Sequence, residues 1–116
     1  MQSPNYFFGI VKILENPKQK IFDNNRITTE CRALIPQIRK KKVPSIILLV
    51  FWGNLARDVT NYYQINDYIL VEGYVSIKKN KSKEIDIRGS NLKKVLITVL
   101  KVYPFLLKSR NAKNKV

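Results

Sequence analysis

Short apolar runs separated by turn residues dominate this chain, and one segment has the apolar spacing of a helix. Runs of strand character, rich in aromatic and β-branched residues, cover residues 6–14, 26–35 and 46–52. Residues 54–65 instead place apolar side chains at spacings of three and four, with Asn54 as the expected N-cap. The sequence therefore predicts an all-β domain that contains one helix.

Two further runs follow the helical segment. Residues 68–77 form the clearest strand, and residues 84–88 alternate isoleucine with charged side chains. Three strands, a helix and two strands is the order of the five-stranded oligonucleotide-binding (OB) barrel, in which the helix closes one end between strands three and four. We therefore expect an OB-fold barrel over residues 1–100 and a basic C-terminal tail over residues 101–116.

The apolar segment 92–107 fits either a long final strand or a helix, and Pro104 interrupts both. As an extended strand it would be mostly apolar on both faces. That is difficult to satisfy in a monomer of 116 residues whose barrel is already filled. We therefore predict a homo-oligomer with residues 92–107 at or near the contact.

Every residue of the run 46–52 is apolar, which predicts a strand buried on both faces. Neighbouring side chains of a strand point to opposite faces, so only one of Phe51 and Trp52 faces outward. Trp52 is the better candidate, because it is large and comes directly before Gly53 at the start of the helix. The alternative is that Trp52 is a core residue that seals the end of the barrel.

Positive charge is concentrated in two loops. The chain has 22 Lys and Arg against 8 Asp and Glu, a net charge of +14, which predicts a polyanionic partner such as nucleic acid or an anionic membrane surface. The loop between strands two and three and the loop between strands four and five carry, respectively, Arg39, Lys40, Lys41 and Lys42, and Lys78, Lys79, Lys81 and Lys83. In this type of barrel both loops can clamp a phosphate chain laid across the sheet. The alternative is that they are solvated lysine-rich loops.

Aromatic side chains supply the second half of single-strand binding, because every base has a flat face on which to stack. Trp52 and Tyr74 are the candidate stacking residues. Tyr62 and Tyr63 lie in the helical segment, where core or interface positions are expected.

The composition disfavours an enzyme. The chain contains no histidine, which excludes histidine bases, triads and metal ligands, and its one cysteine, Cys31, excludes an internal disulfide and a cysteine zinc site. Its four glycines are too far apart for a phosphate-binding loop. We therefore expect no catalytic residue, no metal and no cofactor, and we interpret Cys31 as a small buried apolar residue.

Composition also bears on location. The apolar stretches 43–56 and 95–107 are shorter than the roughly 20 residues that a membrane span needs. The N-terminus lacks the charged segment of a secretory signal and is too short for a transit peptide before the first strand. Lys, Asn and Ile make up 41 of 116 residues, a bias typical of an AT-rich genome. We expect a plastid protein that is encoded in the organelle, with no targeting peptide and no membrane span.

Three segments together resemble one known family. VFWGNLARDVTNY at residues 50–62 is similar to the third strand and helix of bacterial-type single-stranded DNA-binding proteins. YILVEGYV at residues 68–75 is similar to that family's next strand, and NYFFGIV at residues 5–11, with Asn16-Pro17 after it, is similar to its first strand and turn. The resemblance covers about residues 5–96. A small reading frame of algal plastid genomes has the same pattern.

This resemblance implies a protein that binds single-stranded DNA with little sequence preference, DNA being favoured over RNA, in plastid genome replication and maintenance. Trp52 matches one stacking aromatic of the family, whereas Ile46 and Asn80 stand where family members often stack bases. The family's glycine-rich linker and acidic tip are replaced by a basic tail.

Two alternatives stay open. One is an OB-fold module for RNA binding or an accessory role in replication or translation, and the other is a structural subunit whose tail docks on a ribosome or membrane.

Overall fold

The computed structural model describes residues 5–36, 45–79 and 93–108. Within these ranges the chain forms six strands and one α-helix. In chain order they are β1 (Tyr6–Ile13), β2 (Lys18–Ile21), β3 (Ile27–Ile35), β4 (Ser45–Trp52), α1 (Gly53–Tyr62), β5 (Tyr68–Lys79) and β6 (Lys93–Leu106).

Five of these strands close into a barrel. β1 pairs with β5, β5 with β6, β6 with β4 and β4 with β3, and a short β1–β3 pairing completes the ring. β4 and β6 run parallel, and the other pairs are antiparallel. The helix lies between β4 and β5, which are the third and fourth strands of the ring. The predicted five-stranded barrel with one helix is therefore confirmed.

β2 is a strand that the apolar pattern does not predict. All four of its residues are exposed, and Ile21 is the one apolar side chain among them. It forms by pairing with β3 across a tight turn at Asp23–Asn25, where Asn24 and Asn25 adopt left-handed backbone angles. Asparagine tolerates that conformation better than most residues, so the Asp-Asn-Asn cluster marks a turn, as its composition indicates.

Segment 92–107, for which the sequence allows a strand or a helix, contains a strand. Lys93–Leu106 is one strand, and Pro104 lies within it opposite Ile69, where the β5–β6 register shifts. Proline is tolerated in sheets at such irregularities, because an amide there does not have to join the ladder. The strand includes residues 101–106, which the sequence pattern assigns to the basic tail. The strand predicted at 84–88 lies outside the described residues, and β6 is the strand that pairs with β5.

The core fills the inside of the ring. Val11, Ile13, Cys31, Ala33, Ile47, Leu49, Phe51, Ile69, Val71, Ile97 and Val99 are its buried strand residues. The expectation that 46–52 is buried on both faces is wrong. Ile46 is half exposed and Trp52 is 38 % exposed, although Val50 between them is buried. A closed barrel has one interior, and no second layer among the described residues covers the outer face of β4.

The helix closes one end of the barrel with Ala56 and Val59, and Tyr63 follows it as a further buried residue. Its start differs from the prediction, because Trp52 occupies the cap position and Asn54 lies within the first turn. Gly53 takes a left-handed φ of 65°, which favours glycine at the bend from strand to helix. Tyr62 is 69 % exposed and does not join the core. No helix in the described part of the chain is long and apolar enough to cross a membrane.

Gly73 marks a close approach between two strands. The β5–β6 register shifts between Glu72 and Gly73. A β-carbon at position 73 would lie 2.1 Å from the backbone oxygen of Thr98, which is far inside van der Waals contact. The Glu-Gly pair in the sequence therefore has a packing reason, since a side chain here would separate β5 from β6.

Candidate nucleic-acid interface

Trp52 ends β4 with its side chain on the outside of the barrel. It is 38 % exposed, whereas the neighbouring Phe51 is fully buried. The prediction that Trp52 faces outward is confirmed, and the alternative of a core tryptophan is wrong. Neighbouring side chains of a strand point to opposite faces, so Trp52 faces outward when Phe51 faces the core.

The turn after β2 supplies two side chains that contact the Trp52 ring. The guanidinium carbon of Arg26 lies 4.8 Å from the ring centre, in a cation–π arrangement. Phe22 packs against the same ring edge to face, with the ring centroids 5.8 Å apart. Trp52 is paired in register with Thr28, just beyond this turn. The indole is therefore held in one orientation at the surface.

Sequence reasoning missed Phe22 and Arg26. They flank the Asp-Asn-Asn turn, but their position beside Trp52 depends on the β3–β4 register. The one sequence signal for them is the Asp-Asn-Asn turn. If the hairpin that contains this turn packs beside strand 46–52, the residues on either side of the turn lie at the end of that strand.

A surface cavity of about 330 Å³ adjoins Trp52. Its lining residues are Asn25, Arg26, Ile27, Trp52, Gly53, Asn54 and Arg57. The lining thus combines an aromatic ring with two guanidinium groups and two amides, and it contains no carboxylate. Such a surface suits an anionic ligand that also has a flat apolar part.

Two other cations on the described strands are paired with carboxylates. Arg32 lies 3.3 Å from the Glu15 carboxylate, and its backbone N–H donates to the same group at 2.9 Å. The hydrogen bond from the Arg32 backbone, together with its guanidinium, lowers the pKa of Glu15 below the ordinary value. Lys20 forms a second ion pair, at 3.5 Å from Glu30. Neither Arg26 nor Arg57 joins an ion pair within the described ranges.

Tyr74 lies on the outside of β5 and is 44 % exposed. Its ring meets that of Tyr6 edge to face at 5.9 Å, and the Tyr6 hydroxyl donates a hydrogen bond to the Glu72 carboxylate. Tyr74 is paired with Thr98 of β6, and Thr98 is paired with Val50 of β4. Trp52 and Tyr74 therefore share the outer surface, but β6 lies between their strands and Trp52 is two residues beyond Val50 along β4.

The predicted basic loops are only partly described. Arg39, Lys40, Lys41, Lys42, Lys81 and Lys83 lie outside the described residues. Lys78 and Lys79 are the last residues of β5, paired with Lys94 and Lys93, so the predicted loop 78–83 begins as strand. Ile35 and Ser45, which flank the first basic segment in the sequence, are paired with each other.

The second half of β6 exposes four large apolar side chains in addition to Lys101. Leu100, Tyr103, Phe105 and Leu106 are each between 44 % and 62 % exposed. We call these four residues the β6 apolar patch. They fall within the segment 92–107 for which we predict a contact between chains.

No protein-family model matches the chain. A diatom protein from Trieres chinensis, named "Putative single-stranded DNA-binding protein ycf41", is 43 % identical over 106 residues, which cover 90 % of this chain and 92 % of the relative.

Solved structures share the fold. The SSB domain of a Synechococcus protein superposes with a TM-score of 0.67 at 20 % identity, covering 89 % of this chain and 98 % of that one. The small single-stranded DNA-binding protein of Streptomyces coelicolor gives a TM-score of 0.73 at 10 % identity, covering 90 % and 97 %. The second single-stranded DNA-binding protein of Mycobacterium smegmatis gives 0.61 at 18 % identity, covering 92 % and 98 %.

Proposed function

This chain belongs to the family of single-stranded DNA-binding proteins represented by ycf41 of Trieres chinensis, and on that premise we propose that it binds single-stranded DNA with little sequence preference. The observation that carries the proposal is Trp52, an exposed indole on the outer face of an OB barrel with two arginines in the adjoining cavity. Aromatic stacking and cationic contact with the backbone are the two interactions that sequence-tolerant single-strand binding uses.

In this proposal the basic segments bind phosphates. Arg39, Lys40, Lys41 and Lys42 follow β3, and Lys78, Lys79, Lys81 and Lys83 begin at the end of β5. Tyr74 adds a second stacking ring one strand away from β4. The net charge of +14 supports a polyanionic partner.

We propose DNA in preference to RNA, because the family likeness is to proteins named for DNA. A competition assay tests both the function and the preference. Unlabelled single-stranded DNA, single-stranded RNA and duplex DNA of equal length compete against one fluorescein-labelled single-stranded DNA at two salt concentrations. Single-stranded DNA should be the strongest competitor. RNA competing better would favour the RNA-binding alternative, and duplex competing better would overturn single-strand binding.

We also propose that the protein is a homo-oligomer in which the β6 apolar patch contacts a second copy. Four large apolar side chains on one strand are an unusual exposure for a monomer of this size. Sedimentation at tens of micromolar protein tests this idea. Replacing Tyr103 and Phe105 by Ser should dissociate the oligomer. A wild-type protein that sediments as a monomer would overturn this proposal.

The proposed setting is plastid genome replication and maintenance. The Lys, Asn and Ile bias and the diatom relative support a plastid protein. We propose a binding role without catalysis, since the named relatives are binding proteins. Immunodetection in isolated plastids tests the location.

A further inference from the structure

Arg26 and Arg57 line one cavity, and neither forms an ion pair within the described residues. Both side chains line the 330 Å³ cavity beside Trp52, and both residues are exposed. Asp23 lines an adjoining cavity with Arg26, but no ion pair joins the two within the described residues. Two cations that share a cavity repel each other, and a bound anion would reverse the sign of that interaction.

The start of α1 adds further positive charge near these two arginines. The first turn of the helix contains no acidic residue, and Trp52 in the cap position provides no side-chain hydrogen bond. The N-terminal end of a helix carries partial positive charge, so Arg57, one turn into α1, lies close to charge of its own sign. The helix start therefore favours an anion near Arg57, and the neighbouring exposed carboxylate of Asp58 is not part of the cavity lining.

We propose that the Trp52 cavity is a subsite for one nucleotide, in which the base stacks on Trp52 and its phosphate is held between Arg26 and Arg57. This inference rests on the proposed function and adds two residues that the lysine-rich segments do not include. The planar guanidinium donates paired hydrogen bonds that match phosphate oxygens, which lysine cannot do. A volume of about 330 Å³ is within the range of small-ligand sites.

Arg26 has a second part in this subsite. In the free protein its guanidinium covers the Trp52 ring at 4.8 Å. An incoming base competes for that ring, and the displaced guanidinium moves to the phosphate of the same nucleotide. The cation–π contact thus keeps the indole oriented until the base arrives.

The test uses the full chain, fluorescein-labelled oligothymidylate and anisotropy over a range of salt concentrations. Arg26→Gln and Arg57→Gln should each reduce the log–log salt slope by about 0.7, the amount expected for one phosphate contact to a single strand. Each should also weaken binding about tenfold, as expected when a hydrogen-bonded charge is lost. Lys12→Gln is the matched control. It removes the same charge beside Leu34, at the other end of β3 from Thr28 and about 20 Å away along the strand.

A double-mutant cycle distinguishes one nucleotide subsite from two independent contacts. Arg57→Gln in a Trp52→Ala background should weaken binding less than threefold, because base and phosphate belong to the same unit. Arg57→Lys should keep the wild-type salt slope but lose affinity, because lysine retains the charge and lacks the paired hydrogen bonds of the guanidinium.

The outcomes separate this inference from the proposed function. If wild-type protein binds oligothymidylate with a steep salt slope, and Arg26→Gln and Arg57→Gln behave like Lys12→Gln, the subsite is wrong and the function stands. If the wild type does not bind at all, the proposed function itself fails. Fully additive effects of Trp52→Ala and Arg57→Gln would also overturn the single-nucleotide subsite.

Discussion

The hydroxyl of Thr29 donates a 2.7 Å hydrogen bond to the carbonyl oxygen of Ala56, joining the inner face of β3 to the helix. The contact is buried, and the hydroxyl of Thr60 lies 3.0 Å from the same Thr29 oxygen. Since α1 begins directly after Trp52, this contact helps to fix the helix start that lines the proposed nucleotide subsite.

Removing the Thr29 hydroxyl should therefore destabilise the fold. Thr29→Val keeps the shape but loses the hydrogen bond, and we expect a loss of about 1 kcal/mol in the free energy of unfolding. The neighbouring Thr28 is the matched control, because its buried hydroxyl has no hydrogen-bond partner within the described residues. Thr28→Val should be neutral or stabilising. Urea denaturation of both variants checks this, and an equal loss in both would contradict it.

The thiol of Cys31 should be unreactive in the folded protein. Burial, which is complete for this residue, raises the pKa of the thiol to about 12. The reactive thiolate is therefore scarce at pH 8, and the reagent has no access. A colorimetric thiol reagent should modify the native protein far more slowly than the urea-unfolded chain, which serves as the control. Rapid modification of the native protein would show that β3 opens readily.

The Glu15–Arg32 pair predicts an acid-sensitive contribution to stability. The backbone N–H and guanidinium of Arg32 lower the pKa of Glu15 in the folded state, so folding favours the ionised carboxylate. That contribution is complete above the unfolded pKa of about 4.3 and is lost as pH falls through the lower folded value. Glu15→Gln should thus be less stable than wild type at pH 7 and equal to it in strong acid. A stability difference that is independent of pH would contradict this account.

Alternation and periodicity predict much of this fold from sequence. They identify the helical segment and the four barrel strands β1, β3, β4 and β5, because these features depend on residues close in sequence. Alternation requires only that one of Phe51 and Trp52 face outward, and the choice of Trp52 rests on its size and its place before Gly53. β2 is missed because its stability comes from pairing with β3 and not from apolar residues of its own.

Hydrophobic periodicity does not predict where the remaining site residues lie in the fold. Arg26 and Phe22 reach Trp52 through strand register, and Arg57 reaches the same cavity through the turn at Gly53. Pro104 was expected to interrupt the final strand, but a register shift beside Ile69 accommodates it. Such long-range geometry is fixed only when strands pair.

The lysines after β3 should contribute to affinity without contributing to sequence preference. Replacing Lys40, Lys41 and Lys42 by Gln should reduce the log–log salt slope of binding by about 2, at about 0.7 for each phosphate contact. Affinity for oligothymidylate and oligodeoxyadenylate should fall by the same factor, because phosphates carry no base identity. An unchanged slope would mean that this segment is a solvated loop.

Trp52→Ala should act differently from the lysine changes. Losing a stacking ring should cost about 1–3 kcal/mol of binding free energy and leave the salt slope nearly unchanged. Because Trp52 is partly exposed, its removal should change the melting temperature little. Phe51→Ala is the matched control, since truncating this buried neighbour should cost about 3–5 kcal/mol of stability. A severe loss of stability in Trp52→Ala would contradict this expectation.

The emission of the single tryptophan tests the central claim most directly. Wild-type protein is titrated with unlabelled oligothymidylate at two salt concentrations, with duplex DNA of equal length as the comparison. Single-stranded DNA should quench Trp52 to saturation, the midpoint should move to higher concentration in high salt, and duplex DNA should quench poorly. Emission that stays unchanged when anisotropy shows the oligonucleotide fully bound would contradict stacking on Trp52, and no binding at either salt concentration would contradict the function itself.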